Sequence, residues 1–269
     1  MHLRSSNKKK LLIDHEEVTL DEAPEGSLYV LEHPKLSIIT YPWEWPFSML
    51  KDAALLHLDI MDELLPKRFW LRDASAFNVQ YAARGIILID ILSIGPRIPE
   101  SPWVAYRQFC SHFLAPLAMA AFGDIGFMGL WRNYIDGFPL GMAAKTLPLT
   151  KRYTPGLFMH LMLHARFQEG SDKVENIHSD ARKQHKVSDM ALSGIVRSLR
   201  KTISKLNWQQ HSRIWADYDS VRTYEDDDVR AKKDFVKACI DEGKPEMVWD
   251  LGGNNGEFSM IAADSGAQV

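Results

Sequence analysis

Apolar positions along the chain follow two periods, a short β-like alternation early on and a helical three-to-four spacing later. Residues 28–31 and 36–40 are β-prone and flank the turn-like Glu32-His33-Pro34-Lys35, which predicts a hairpin. From Met49 onward, Leu50, Ala53, Ala54, Leu58, Met61 and Leu65 share one helical face. Ser48 is the expected N-cap and Pro66 the stop. A second hairpin is expected from 79–81 and 86–90 around Ala83-Arg84-Gly85. Residues 104–122 form a long apolar segment containing Pro116, where a kink or break is expected because proline brings no N–H to the helix ladder. Residues 157–167 read as another apolar helix. The clearest amphipathic segment is 188–206, with Leu192, Ile195, Val196, Leu199, Ile203 and Leu206 on one face. Arg197, Arg200, Lys201 and Lys205 lie on the other face, as on a solvated helix surface. A helix over 226–242 opens on Asp226-Asp227-Asp228, carboxylates at its positive end, and stops at Gly243 and Pro245. It delivers the chain into an apolar run, 247–249, then a glycine-rich turn and a further helix from Phe258.

The pattern turns polar over 169–186, which places the main boundary there. The expected organisation is a largely helical N-terminal region with short hairpins (1–170), a linker with the amphipathic helix (171–210), and the beginning of a second domain (211–269). Composition changes this little: 269 residues, 46% hydrophobic and 25% charged, are ordinary for a globular protein. A net charge of −3 gives no electrostatic case for nucleic acid. No run reaches the ~18 apolar residues of a membrane span. The basic start (Arg4, Lys8, Lys9, Lys10) leads into an apolar run too short for a signal-peptide core. The two cysteines, Cys110 and Cys239, are far apart and read as small packing residues of a reduced, cytoplasmic protein.

Candidate chemistry concentrates at two places. The first is Met247-Val248-Trp249-Asp250-Leu251-Gly252-Gly253-Asn254-Asn255-Gly256-Glu257-Phe258-Ser259. Glycines permit a sharp turn and close ligand approach, and the helix start beyond them offers unpaired N–H groups. With Asp250, Gly252 and Gly256 in place and Asn254 at the middle glycine position, the segment resembles motif I of class I S-adenosylmethionine-dependent methyltransferases. The resemblance implies that Asp250, Gly252, Gly253, Asn254 and Gly256 hold S-adenosyl-L-methionine, on the first strand of an α/β Rossmann-like sheet. Trp215-Ala216-Asp217-Tyr218 and Tyr224 match the aromatic residues such enzymes often carry before the core, although aromatic packing explains each singly as well. Gly266-Ala267-Gln268-Val269 reads as the entry to the second strand, whose terminal acid would hold the ribose.

The second place is Arg72-Asp73-Ala74-Ser75-Ala76-Phe77-Asn78 followed by Asp90. Its spacing is similar to the catalytic loop and metal-binding hairpin of the protein-kinase-like fold. That resemblance implies phosphoryl transfer, with Asp73 orienting the nucleophile and Asn78 and Asp90 on magnesium. Leu71 stands where His is usual and Ile91-Leu92 where Phe-Gly is usual, and residues 1–60 hold no Gly-rich phosphate loop. A retained kinase-like scaffold, or a turn and hairpin stabilised by these side chains, remain open readings. His160 and His164, four apart, lack the Glu of the zinc-protease pattern and are read as helix histidines, so no metal site is expected.

Three upstream blocks complete the picture: Tyr41, Trp43, Trp45, Phe47, Lys51 and Leu56; Asp73, Phe77, Asn78 and Gln80; Pro102, Trp103, Tyr106, Phe109, His112 and Leu117. With the glycine turn they resemble a bacterial family of class I methyltransferases related to a host-specific nodulation protein, from about residue 15 onward. The resemblance implies methyl transfer to an acceptor it does not name. It also implies that members extend beyond this chain at both ends, so the chain is expected to be an incomplete portion, inactive by itself. A non-enzymatic scaffold built on residues 41–167 is the third reading, with Tyr41 to Phe47 as its exposed patch.

Overall fold

The computed structural model describes residues 11–18, 26–82, 85–163, 186–208 and 226–269. His164, the expected helix beyond residue 163, most of the polar stretch 169–186, and the aromatic residues 215–218 and 224 lie outside the described residues. The chain divides into two compact units, 1–208 and 209–269.

The first unit mixes helices with short antiparallel strand pairs. β1 (Glu16–Glu17) pairs with β2 (Leu31–Glu32), so the β-prone residues near 30 find an upstream partner. The expected 28–31/36–40 hairpin does not form. Residues 36–40 are not a strand; Thr40 is instead tied to Gln80, donating its N–H to Oε1 at 2.9 Å and accepting from Nε2 at 2.8 Å. Helix α1 (Phe47–Leu64) starts two residues before the sequence suggests, with Pro46 as its cap and Ser48 inside its first turn. It buries Leu50, Ala53, Ala54, Leu58, Ile60, Met61 and Leu64.

After α1 come β3 (Phe69–Leu71), β4 (Val79–Ala82), β5 (Gly85–Leu88) and β6 (Ile94–Pro96). β4 and β5 form the expected hairpin, with Val79 opposite Leu88. Leu11 to Ile13 runs alongside β5: the Leu88 N–H donates to the Leu11 carbonyl and the Ile13 N–H to the Leu88 carbonyl, both at 2.9 Å. β3 pairs with β6, bracketing this hairpin in sequence.

Of the 104–122 segment, residues 106–122 run as one helix without a break, and the irregularity expected near Pro116 takes the form of a π turn. α2 (Tyr106–Phe109) passes through a wide π turn, Cys110–Leu114, into α3 (Ala115–Phe122). The widened turn comes immediately before Pro116, so the missing proline N–H falls where the ladder has already changed register. α4 (Leu140–Thr146), α5 (Leu149–Arg152) and α6 (Pro155–Leu157) follow, the last continuing into a second π turn, Phe158–Met162.

The amphipathic helix is α7 (Asp189–Lys205), capped by Ser188, whose hydroxyl accepts from the Ala191 N–H. Its apolar stripe is buried as the periodicity predicts, with Leu192, Val196, Leu199 and Ile203 fully enclosed. Its polar face is not simply solvated. Arg200 forks onto Asp59 at 2.6 Å and Asp62 at 2.8 Å, and Lys51 donates to the Ser204 and Leu206 carbonyls at its C-terminal end. α7 therefore packs on α1 within the first unit. The core of this unit runs as one cluster from Leu11 to Leu206.

The second unit contains α8 (Asp226–Gly243) and α9 (Glu257–Asp264), with the glycine turn between them. Cys110 is buried, as a packing residue should be, whereas Cys239 is exposed on α8. Among the described residues no helix is long and apolar enough to cross a membrane.

Candidate functional site

In the second unit the apolar run at 247 pairs in parallel with the chain's last residues. The Val248 N–H donates to the Gln268 carbonyl at 2.8 Å, and the Gln268 N–H to the Glu246 carbonyl at 2.9 Å. Parallel pairing of segments this close in sequence requires a crossover, and α9 supplies it. The turn between strand and helix holds three left-handed residues in alternation: Gly252 at φ +81°, Asn254 at φ +46° and Gly256 at φ +75°. Asn tolerates this region better than most side chains, which accounts for Asn254 at the middle glycine position.

The turn is closed by two further bonds. The Gly256 N–H donates to the Gly253 carbonyl at 2.7 Å, and the Ser259 hydroxyl donates to Asp250 Oδ2 at 2.6 Å. Gly253 is outside the left-handed region, yet a Cβ there would come within 2.8 Å of Asp250 Oδ2. Lys233 pairs with Glu257 at 3.1 Å, and the Lys232 ammonium sits 4.6 Å from the centre of the Phe258 ring, fastening α8 to the start of α9. Trp249 and Leu251 are 72% and 87% exposed.

Asp73 and Asp90, of the other candidate residues, already accept hydrogen bonds within the first unit. Asp73 Oδ1 accepts from the Ser75 N–H and from Gln108 Nε2, both at 2.8 Å. Asp90 Oδ1 accepts from the Leu92 N–H at 3.0 Å, an Asx turn capping the short helix that follows. Asn78 accepts from the Ile89 N–H through its backbone carbonyl, and its buried side-chain amide nitrogen meets no hydrogen-bond partner among the described residues. Arg72 donates to the Leu92 carbonyl at 2.9 Å and lies against Gly95, where a Cβ would strike its guanidinium stem. Among the described residues no group of three or more His, Cys, Asp or Glu side chains could hold a metal.

Three upstream blocks that stand out in the sequence are stitched together by a polar seam. Ala74 N–H donates to Gln108 Oε1, Ala76 N–H to His112 Nδ1, and Trp103 Nε1 to the Leu71 carbonyl. Tyr81 donates to the Met49 carbonyl, and Trp45 to the Thr40 hydroxyl. The Tyr41–Phe47 stretch is split: Trp45 and Phe47 are buried, while Tyr41 is 42% exposed and stacks on Trp43 with ring centres 4.6 Å apart. His160 is fully buried, its two nitrogens bonded to the Tyr106 hydroxyl at 2.6 Å and the Ser198 hydroxyl at 2.7 Å. Sequence spacing gave no sign of this link between α2 and α7, nor of the bond from Ser259 to Asp250.

Taken together, the chain is a mixed helix-and-strand protein whose second unit runs from α8 through the glycine turn into α9, with a parallel bridge from Met247 to Gln268 across the turn and helix. It is similar to a nodulation protein, NoeA of Rhizobium meliloti (strain 1021), being 33% identical over 254 residues, 94% of this chain and 53% of that protein. The chain thus spans about half the length of the curated relative it matches. No family model matches the chain, and no solved structure matches it.

Proposed function

We propose that the protein serves S-adenosyl-L-methionine-dependent methyl transfer in the cytoplasm, with Asp250, Gly252, Gly253, Asn254 and Gly256 as the cofactor turn of a Rossmann-like domain. The observation that carries this is the alternation of left-handed residues between a segment bridged in parallel to residue 268 and a helix start. Such a turn presents backbone N–H groups at a helix N-terminus and lets a ligand approach without Cβ atoms in the way. Similarity to a nodulation protein over nearly the whole chain agrees with the resemblance in the sequence. Catalysis would consist chiefly of holding the sulfonium methyl group in line with an acceptor nucleophile.

The phosphotransfer alternative rests on Asp73, Asn78 and Asp90. It has less support, because Asp73 Oδ1 and Asp90 Oδ1 already accept local bonds. The two readings separate in a ¹⁵N NMR titration of the 269-residue chain. The expected result is weak but saturable shifts at Gly252, Gly253 and Gly256 with S-adenosyl-L-methionine, and none at Asp73, Asn78 or Asp90 with ATP and magnesium. Shifts confined to the latter three would transfer the proposal to phosphoryl transfer. Tight binding of S-adenosyl-L-methionine would show that no further strand is needed to complete the site.

A further inference from the structure

We propose that Ser259 is a positioning residue for the glycine turn, and that Gly253 is glycine because of it. The inference rests on the cofactor-turn reading above. Ser259 lies in the first turn of α9 and donates to Asp250 Oδ2 at 2.6 Å, joining the helix to the end of the strand across nine residues. A hydrogen bond to a carboxylate is among the stronger neutral-to-charged contacts, and a serine hydroxyl in a first helical turn is sterically suited to it. The bond fixes one oxygen of Asp250. Oδ1 has no hydrogen bond among the described residues, so it remains as the acceptor a ligand N–H or O–H would meet.

The position of Gly253 follows. Its φ is outside the left-handed region, so no left-handed backbone demands glycine there. What a side chain cannot do is share the space: an added Cβ would sit 2.8 Å from Asp250 Oδ2 and 3.3 Å from Ser259 Oγ. Gly252 and Gly256 are needed for their dihedral angles, whereas Gly253 is needed because the Asp250–Ser259 bond passes beside it. The turn is therefore shaped before any ligand arrives, which lowers the ordering cost of binding.

The test compares Ser259→Ala, Ser259→Thr and Gly253→Ala in the full 269-residue chain, with far-UV circular dichroism confirming that each folds. In the ligand-free protein, Ser259→Ala should speed exchange of the Gly256 amide by about tenfold, the worth of one such hydrogen bond, and Ser259→Thr should restore protection. Binding of S-adenosyl-L-methionine, followed by the shifts at Gly252 and Gly256, should weaken by a similar factor in Ser259→Ala and recover in Ser259→Thr. Gly253→Ala should cost less in a Ser259→Ala background than in the wild type, because the carboxylate can then swing aside. Unchanged exchange in Ser259→Ala overturns the inference, as does unchanged affinity where the wild type binds. A wild type that ignores S-adenosyl-L-methionine, while Ser259→Ala still loses protection, overturns the cofactor reading and with it Ser259's part in binding.

Discussion

His57 and His112 are buried imidazoles whose tautomers can be read from their partners. His57 Nδ1 lies 2.9 Å from the Ala53 carbonyl, so it carries the proton. His112 Nδ1 accepts from Ala76, which places its proton on Nε2. Burial is the main cause that holds each down to about 4, from the ordinary 6.5. Both are therefore neutral in the folded protein at pH values where the unfolded chain would already be protonated. Between 6.5 and 4 the unfolded state binds more protons, so stability is fully present above 6.5 and falls as the pH drops toward 4. The loss approaches about 3 kcal/mol per histidine. Urea denaturation at a series of pH values should show this fall, and His57→Leu, which removes one of the two buried imidazoles, should make it shallower. A flat profile would rule out burial as the controlling effect. None of this was legible in the sequence. His57 lies within the α1 segment, and no residue type or spacing announces that an imidazole there will face Phe113 rather than water.

At the scale of elements, the periodic signals carried most of the information. α1 and α7 were legible because a three-to-four apolar repeat leaves one face that must be buried. The β4–β5 hairpin was legible because two β-prone runs bracket Gly85. The expected hairpin at 28–40 failed because strand partners are chosen by tertiary pairing, which the local pattern does not contain. The Pro116 segment stayed helical because a π turn absorbed the lost bond, a device with no sequence signature of its own. The attachment of α7 permits a comparison of magnitudes. Arg200 is partly exposed, so Arg200→Ala should cost only about 1 kcal/mol. Gly156 is a different case: a Cβ there would fall 2.0 Å from Thr202 Oγ1 on α7. Gly156→Ala should therefore cost more, about 1–3 kcal/mol from overpacking, and thermal melts of the two variants should rank in that order.

For the whole molecule, the first unit has an extended core of its own. Among the described residues its cluster runs from Leu11 to Leu206. A chain of residues 1–208 should accordingly unfold cooperatively at nearly the temperature of the first unit's transition in the full chain, as followed by tryptophan fluorescence. A non-cooperative melt would show that the first unit needs the second. The glycine turn was legible from the sequence because its demands are stereochemical and local. The polar seam through Asp73, Gln108 and His112 was not, because its partners lie 34 to 36 residues apart along the chain.

The Gly256 amide has a chemical significance beyond geometry. Asn255-Gly256 is the dipeptide most prone to ageing: the glycine nitrogen attacks the asparagine amide carbon, ammonia leaves, and the resulting succinimide hydrolyses to aspartate or isoaspartate. In the folded turn that nitrogen donates to the Gly253 carbonyl at 2.7 Å, a bond that the attack must first give up. Isoaspartate at residue 255 should accumulate slowly in the folded protein and much faster in urea, as peptide mapping would record. The turn thus keeps its own clock, and a batch that has lost its order will carry the permanent mark of having done so.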